Sequence, residues 1–445
     1  MRQKPYKLPE KTIVSAGAEI NIDLVRELIK KHEVNSKRYE YLENLYKGFH
    51  DIYNRPEKEA WKPDNRLAVN FPRYITDTFL GFTRGIPIKK NHDDKTFKQT
   101  LDEFDKLNDM DDHDYELCKM ACMYGHAYEY VYQNEDTETR VARVSPKQCF
   151  IVYDDTIRGM AMFAVRYGYD DSQRLTGEVI TTKQIYRISG NTLVEDSINP
   201  YGRLPVTEFY INEERISLFE GVSGKTEAYN KAIGEKANDI DAFAEAYLAI
   251  LGAELDEEQV YRIRDDRIIN IYGTDDAKDI VAQFLTKPTA DGSQENLLDR
   301  LEKLIYQLSM VANVSDENFG NASGTALAYR LHAMGNLGLT FNRKTQASMR
   351  RRYRLFCSLS TNTPNKDAYE GIEYVFTQNM PRNLLEEAQT ASQLTGVTSK
   401  RTQLSALSIV KDADTEMEQI EKEQEDMAGG SFNRLGVVDN GEDEQ

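Results

Sequence analysis

The sequence predicts an α+β chain that is mainly helical, and three observations carry that reading. Apolar residues recur at steps of three and four over long stretches toward both ends of the chain. Between residues 141 and 211 the rhythm changes to short runs rich in Val, Ile, Tyr and Phe, separated by Gly, Asp, Asn and Pro. Two long helical patterns, 222–251 and about 294–313, then bracket a compact stretch full of turn signals. With 445 residues, the prior is about three domains.

Taken in order, Ile20 to Lys47 places Leu24, Leu28, Ile29, Tyr39, Leu42, Leu45 and Tyr46 in a helical rhythm with charges between. Pro56, Trp61, Pro63 and Asp64 mark an irregular connection. In Asn70 to Phe82, the residues Phe71, Ile75, Phe79 and Phe82 form one apolar helix face, ended by Gly85 and Pro87. Residues 92–135 continue in helical style through Leu101, Phe104, Leu107, Leu117, Met120, Ala121 and Tyr124. The β-rich insertion reads as an antiparallel meander with runs Val141–Val144, Cys149–Tyr153, Met160–Tyr169, Glu178–Ile188 and Val206–Ile211.

From Val222 to Leu251 helical spacing returns, a rod of about 45 Å with Gly252 as its stop. A short strand is expected at Ile268–Tyr272. Ser293 is the expected cap of the next helix, with Glu295 against its dipole and a seam of Leu297, Leu301, Leu304, Leu308 and Val311. Residues 315–324 read as a polar loop. A third long helix is expected from about Thr325 to Leu359, weakened or kinked at Gly335 and Gly338. Leu384 to Glu425 reads as two helices around a break near Gly396–Ser399, and Gly429 to Gln445 as a disordered terminus.

Hydrophobic residues make up 40% and charged residues 29%, enough for a sizeable core. The charge balance is 56 − 74 = −18, which argues against a protein that coats DNA with a generally basic surface. Residues 412–445 hold twelve Asp or Glu against Lys422 and Arg434, about half the excess. The four cysteines make no CxxC pair and the six His no HExxH, so no zinc site, metal or cofactor is expected, and the thiols read as reduced and buried. The basic start has no apolar run behind it, so no signal peptide is expected. The apolar stretch Ala246 to Ala253 is too short to span a bilayer.

Doubled carboxylates occur at Asp93-Asp94, Asp111-Asp112, Asp154-Asp155, Asp170-Asp171, Asp265-Asp266 and Asp275-Asp276. Clustered carboxylates hold the paired cations of phosphoryl-transfer sites. Here they stand in turn-like contexts, where Asp caps turns. Gly224-Lys225-Thr226 imitates the end of a phosphate loop, but Phe219 stands where the first Gly is required. Arg343, Lys344, Arg350, Arg351, Arg352 and Arg354 form one dense basic cluster, suited either to DNA or to acidic neighbours, including those of adjacent subunits. The loop Ser315, Asp316, Glu317, Asn318, Phe319, Gly320, Asn321, Ala322 is longer than a helix connector needs, which marks it as functional.

Several stretches, in order, resemble the portal proteins of long-tailed bacteriophages and prophages of Gram-positive bacteria. They are Asn70-Phe71-Pro72-Arg73-Tyr74-Ile75, Tyr124-Gly125-His126-Ala127-Tyr128-Glu129, Asn199-Pro200-Tyr201-Gly202-Arg203-Leu204-Pro205-Val206, the run from Lys236 to Leu248, and Ser323-Gly324-Thr325-Ala326-Leu327. The resemblance covers about residues 20–425 and implies a dodecameric ring around a DNA channel. Its regions would be a wing at 1–221, stem helices at 222–251 and 293–314, and a clip at 252–292. A tunnel loop would follow at 315–324, then a wing helix with its return segment at 325–380 and a crown at 381–428, before the acidic tail 429–445. The crown is short beside those of longer relatives.

The resemblance further implies a virion protein at the portal vertex, present in host cytoplasm during assembly, that does no covalent chemistry. Expected partners are further copies of itself, double-stranded DNA, the terminase large subunit, a head-completion connector, and the major capsid and scaffolding proteins. No membrane is implied. Leu297, Leu301, Leu304 and Leu308 would lie between subunits, and residues 315–322 would face DNA. The alternatives from other classes are a metal-dependent nuclease or phosphotransferase using the Asp pairs, and a helical scaffold with no DNA role.

Overall fold

The computed structural model describes residues 10–59, 62–244, 247–251, 281–285, 291–314, 324–380, 384–407, 409–410 and 413–432. Two compact units are distinguished, Met1–Val314 with Leu331–Gln378, and Ser315–Arg330 with Asn379–Gln445.

The first unit begins with β1 (Thr12–Val14) and α1 (Ile22–Lys47), whose Asn21 cap accepts from Leu24 N and whose Gly48 closes the helix at φ +90°. Then come α2 (Phe71–Arg84), β2 (Lys89–Asn91), α3 (Lys95–Leu107) and α4 (Met110–Tyr124). Eight strands follow: β3 (His126–Gln133), β4 (Thr139–Val144), β5 (Cys149–Asp154), β6 (Ala161–Tyr169), β7 (Leu175–Thr181), β8 (Gln184–Ser189), β9 (Thr192–Ile198) and β10 (Val206–Tyr210).

These strands build two sheets. One has the order β1-β5-β6-β7-β8-β9, antiparallel except for β1, which runs parallel to β5 with Thr12 opposite Val152. The other has the order β10-β3-β4. Alternation along the strands decides the core. Phe150, Val152, Phe163, Val165, Val179 and Ile188 face Val25, Leu28 and Ile29 of α1. Cys149, Ile151, Ala164 and Ile180 face the other way, onto Tyr128, Leu204 and Val206. The larger sheet is thus covered on both faces.

The β-rich part begins earlier than expected. His126–Gln133, read as the end of a helical stretch, is the central strand of the smaller sheet and is buried over most of its length. The run Glu178–Ile188 is two strands folded at Thr181–Gln184, where Thr181 Oγ1 accepts from Gln184 N at 2.9 Å. The exposed edge strand β9 carried no buried alternation to betray it.

Next come α5 (Ser223–Ala244), β11 (Tyr247–Leu251), β12 (Val281–Leu285), α6 (Asp291–Ser309), α7 (Gly324–Cys357) and β13 (Glu373–Val375). The expected rod to Leu251 therefore stops at Ala244. Tyr247–Leu251 is a strand instead, pairing with Val281–Leu285 in antiparallel register. A five-residue apolar run suits helix or strand equally, and a partner distant in sequence decides. The second helix starts at Asp291 and ends at Ser309, where Met310 takes φ +60°, so Ser293 lies inside it rather than capping it. The third helix is continuous through its glycines. A Cβ at Gly338 would sit 3.0 Å from Thr83 Cγ2, so this glycine permits a close approach to α2. The expected strand Ile268–Tyr272 lies outside the described residues.

Between Leu384 and Phe432 the described residues form three helices where two were expected: α8 (Leu384–Gln393), α9 (Lys400–Ser405, capped by Ser399) and α10 (Ala413–Phe432). Residues 429–432, read as part of the disordered tail, belong to α10. Residues 433–445 lie outside the described residues. Among the described residues, no helix is long and apolar enough to cross a membrane, and all four cysteines are free and buried.

Candidate functional site

Aromatic rings set the two bracketing helices on α2. Phe71 meets Tyr229 of α5 at 5.1 Å between centroids and Tyr306 of α6 at 5.8 Å, both edge-on, and Tyr74 meets Tyr306 at 5.6 Å. Tyr74 Oη accepts from Val314 N at 2.9 Å, fixing the point where the chain leaves α6. Asn70 caps α2 by accepting from Arg73 N, and its Nδ2 donates to the Tyr46 carbonyl at 3.0 Å. The stretch Asn70–Ile75 thus unites a cap, a Pro in the first helical turn and two aromatic anchors.

Four residues of the predicted seam, Leu297, Leu301, Leu304 and Leu308, form one stripe of α6, while Val311, beyond its end, is 2% exposed. Leu298 and Ile305 turn inward at 7% and 0% exposure, whereas Leu297 and Leu308 are 50% and 54% exposed. Leu301 and Leu304 are half-buried. Ile240 of α5 is also largely exposed. Such a stripe is apolar surface that a single copy leaves uncovered.

The six basic residues of α7 do not share one face. At about 100° per residue, Arg343, Arg350 and Arg354 fall within about 40° of one another, Lys344 and Arg351 lie beside them, and Arg352 points the opposite way. The burial pattern follows this arithmetic. Arg343, Arg350, Arg351 and Arg354 are exposed, and Lys344 pairs with Glu213. Arg352 is wholly buried, its Nε 2.9 and 2.8 Å from the Glu129 carboxylate oxygens and its Nη2 2.6 Å from Asp114 Oδ1. His113 completes this cluster, its Nε2 2.9 Å from Glu129 Oε2.

Two further buried cations were invisible to the sequence reading. Arg38 of α1 bonds Glu220 and donates to the carbonyls of Tyr124 and Arg215 at 3.1 and 2.9 Å. Arg215 grips Glu208 at 2.6 and 2.8 Å, and Glu208 also accepts from His126 Nδ1 at 2.7 Å, while His126 Nε2 meets Tyr39 Oη at 2.8 Å. Burial alone would raise the carboxyls of Glu129 and Glu208. The Arg352 guanidinium on Glu129, and the His126 bond with Arg215 on Glu208, hold both down to about 2.

The doubled carboxylates have local employment. Asp94 caps α3 through Thr96 N and Phe97 N. Asp154 accepts from Thr156 N and Met160 N, and Asp170 from Ser172 N and Arg174 N. Asp111 and Asp112 stand in the first turn of α4. Among the described residues, no three His, Cys, Asp or Glu side chains gather as metal ligands. Asp265, Asp266, Asp275 and Asp276 lie outside the described residues, as do residues 315–323 and most of 252–292.

The family model for phage portal proteins of the SPP1 Gp6-like type matches residues 25–430. The chain belongs to this family. The portal protein of Bacillus phage SPP1 is 23% identical over 456 residues, spanning 94% of this chain and 89% of that protein. The portal protein of Clostridium phage phiCD119 is 23% identical over 420 residues, spanning 85% and 89%. DNA packaging and a connector role come with membership of the portal family. The nuclease and bare-scaffold readings give way to it.

Proposed function

We propose that the chain assembles with copies of itself into a dodecameric ring at one capsid vertex, through which double-stranded DNA enters and leaves. The observation that carries this is the portal-family match over residues 25–430. The uncovered leucine stripe of α6 supports self-association, since apolar surface of this kind favours a second copy. In this reading α5 and α6 are the stem, with the clip between them docking the terminase large subunit and later the head-completion connector. Residues 381–428 form the crown, and the major capsid and scaffolding proteins surround the ring. The protein acts in the virion, and in host cytoplasm during assembly, without covalent chemistry of its own.

Residues 315–324 would be the tunnel loop. Repeated copies of Asp316 and Glu317 make a negative collar that centres the duplex within a Debye length of about 8 Å without gripping it. Phe319 and the neighbouring glycines give that collar a soft apolar tip. The test is packaging by rings carrying Asp316→Lys with Glu317→Lys. Ring assembly is expected to survive and DNase-protected DNA per particle to fall, because the collar now binds the phosphates it must release. Wild-type yield from such rings would remove the loop from the channel.

A further inference from the structure

A cavity of about 230 Å³ lies between Lys11, just before β1, and the elements β10 and α7, walled also by Thr207, Tyr210, Ser348 and Arg351 among others. At about 30 Å³ per liquid water it has room for several waters or one small polyatomic ion. Two carboxylates reach it and both are already matched: Glu208 is held by Arg215 and His126, and Glu213 by Lys344. Among the residues lining it, Lys11, Arg215 and Arg351 against Glu208 and Glu213 give 3 − 2 = +1. In a chain of net −18, that is a local reversal of sign.

The donors are specific. Among the described residues Arg351 has no carboxylate partner, and Lys11 lies over the face of the Tyr153 ring at 5.3 Å without an ion pair of its own, its charge felt by Glu213. Thr207 is 1% exposed, lines the cavity, and its buried hydroxyl has no hydrogen-bond partner. An orphaned buried hydroxyl costs about 1–3 kcal/mol in general, so such a group usually marks a missing partner. The backbone adds to this. β10 is an edge strand paired only with β3, and Ile211 N bonds Gly125 O, so odd-numbered residues face β3. The N–H groups of Glu208 and Tyr210 therefore turn toward α7. That side is confirmed by Ser348 Oγ, which donates to the Glu208 carbonyl at 2.7 Å.

We propose that this cavity binds a small tetrahedral oxyanion of the phosphate class. Arg351 and Lys11 supply charge, while Thr207 and the strand edge supply neutral donors. Bound there, the ion links Lys11 to Arg351 of α7. The site is formed within one copy and does not rest on the ring.

The test is calorimetric titration of the full chain with inorganic phosphate, at ionic strength matched with chloride. The expected result is saturable binding, weakened roughly tenfold or more by Arg351→Ala and by Thr207→Val. Arg343→Ala, which removes an exposed cation on the same helix outside the cavity, is expected to bind as wild type does. Thermal melts of each variant without phosphate separate lost binding from lost folding. The proposal is overturned if wild type shows no saturable binding, or if Arg351→Ala and wild type bind alike. It is equally overturned if a duplex oligonucleotide binds through Arg351 where inorganic phosphate does not, because the surface is then a polymer-phosphate contact and not a small-ion site.

Discussion

Arg352 and Glu129 are 223 residues apart in sequence and 2.8 Å apart in space, guanidinium Nε to carboxylate Oε2, with both side chains wholly buried. The pair ties α7 to the central strand of the smaller sheet, and Asp114 brings α4 into the same knot.

Removing that cation leaves two carboxylates buried without it. Arg352→Met is expected to cost about 3–5 kcal/mol, the usual consequence of orphaning a buried charge. Arg352→Lys recovers little, because one ammonium cannot reproduce a fork that bridges Glu129 and Asp114. Urea unfolding measures both. A loss below about 1 kcal/mol for Arg352→Met would show that the knot does not hold the fold.

Stability is expected to fall in two stages on acidification. His32 is 5% exposed, stacked on Phe150, and its Nδ1 lies 3.0 Å from Tyr167 Oη. Burial, with the His126 charge adding, lowers its pKa from 6.5 to about 3. The unfolded chain therefore takes up a proton near 6.5 that the folded chain refuses until about 3, and stability drops as pH falls through that window. Glu129 and Glu208, at about 2 when folded against 4.5, contribute stability above 4.5 that is lost as pH falls toward 2. Burial lowers His126 as well, so His32→Phe should lessen but not abolish the slope of the melting-temperature profile between pH 6.5 and 4.5, while keeping the fall below it. An unchanged slope in the upper window would count against His32.

Gly125 permits the tightest turn next to these networks. It has φ +92°, and a Cβ there would lie 1.9 Å from the Arg215 carbonyl oxygen, the same atom that accepts from Arg38. Gly125→Ala is expected to lose about 3–5 kcal/mol in thermal or urea unfolding, since backbone must move. Gly159→Ala, at φ +53° with open space around it, is expected to lose only about 1 kcal/mol. Equal losses would mean that the close approach is not the cause.

What the sequence displayed was periodicity, and periodicity located α1, α2, α6 and, in the larger sheet, β5, β6 and a single run that merges β7 with β8, but neither β1 nor β9. It failed where a distant partner decides the outcome. Tyr247–Leu251 has helical spacing but is held as a strand by Val281–Leu285. His126–Gln133 is flanked on both sides, so its burial lacks the alternation of a half-exposed strand. Arg38 and Arg352 look like solvated helix charges, because their carboxylates lie 182 and 223 residues away. The leucine spacing of α6 was legible as a stripe, because Leu297, Leu301, Leu304 and Leu308 recur on one side of a single helix, whereas Val311 beyond its end is buried. Order and spacing of motifs such as Asn70–Ile75 and Tyr124–Glu129 carried the family, and their physical content emerged only as a cap, two aromatic anchors, a forced glycine and a buried carboxylate.

Light scattering of the purified chain tests most directly whether it is a ring-forming portal subunit. The expected particle is about twelve times the 51.1 kDa chain. Leu304→Asp should reduce it to single chains or render it insoluble, because each buried Leu of the stripe is worth about 1.5–3 kcal/mol, repeated around the ring. Unchanged ring mass for Leu304→Asp would place the stripe outside the subunit contact, and a wild-type mass of one chain would contradict the ring itself.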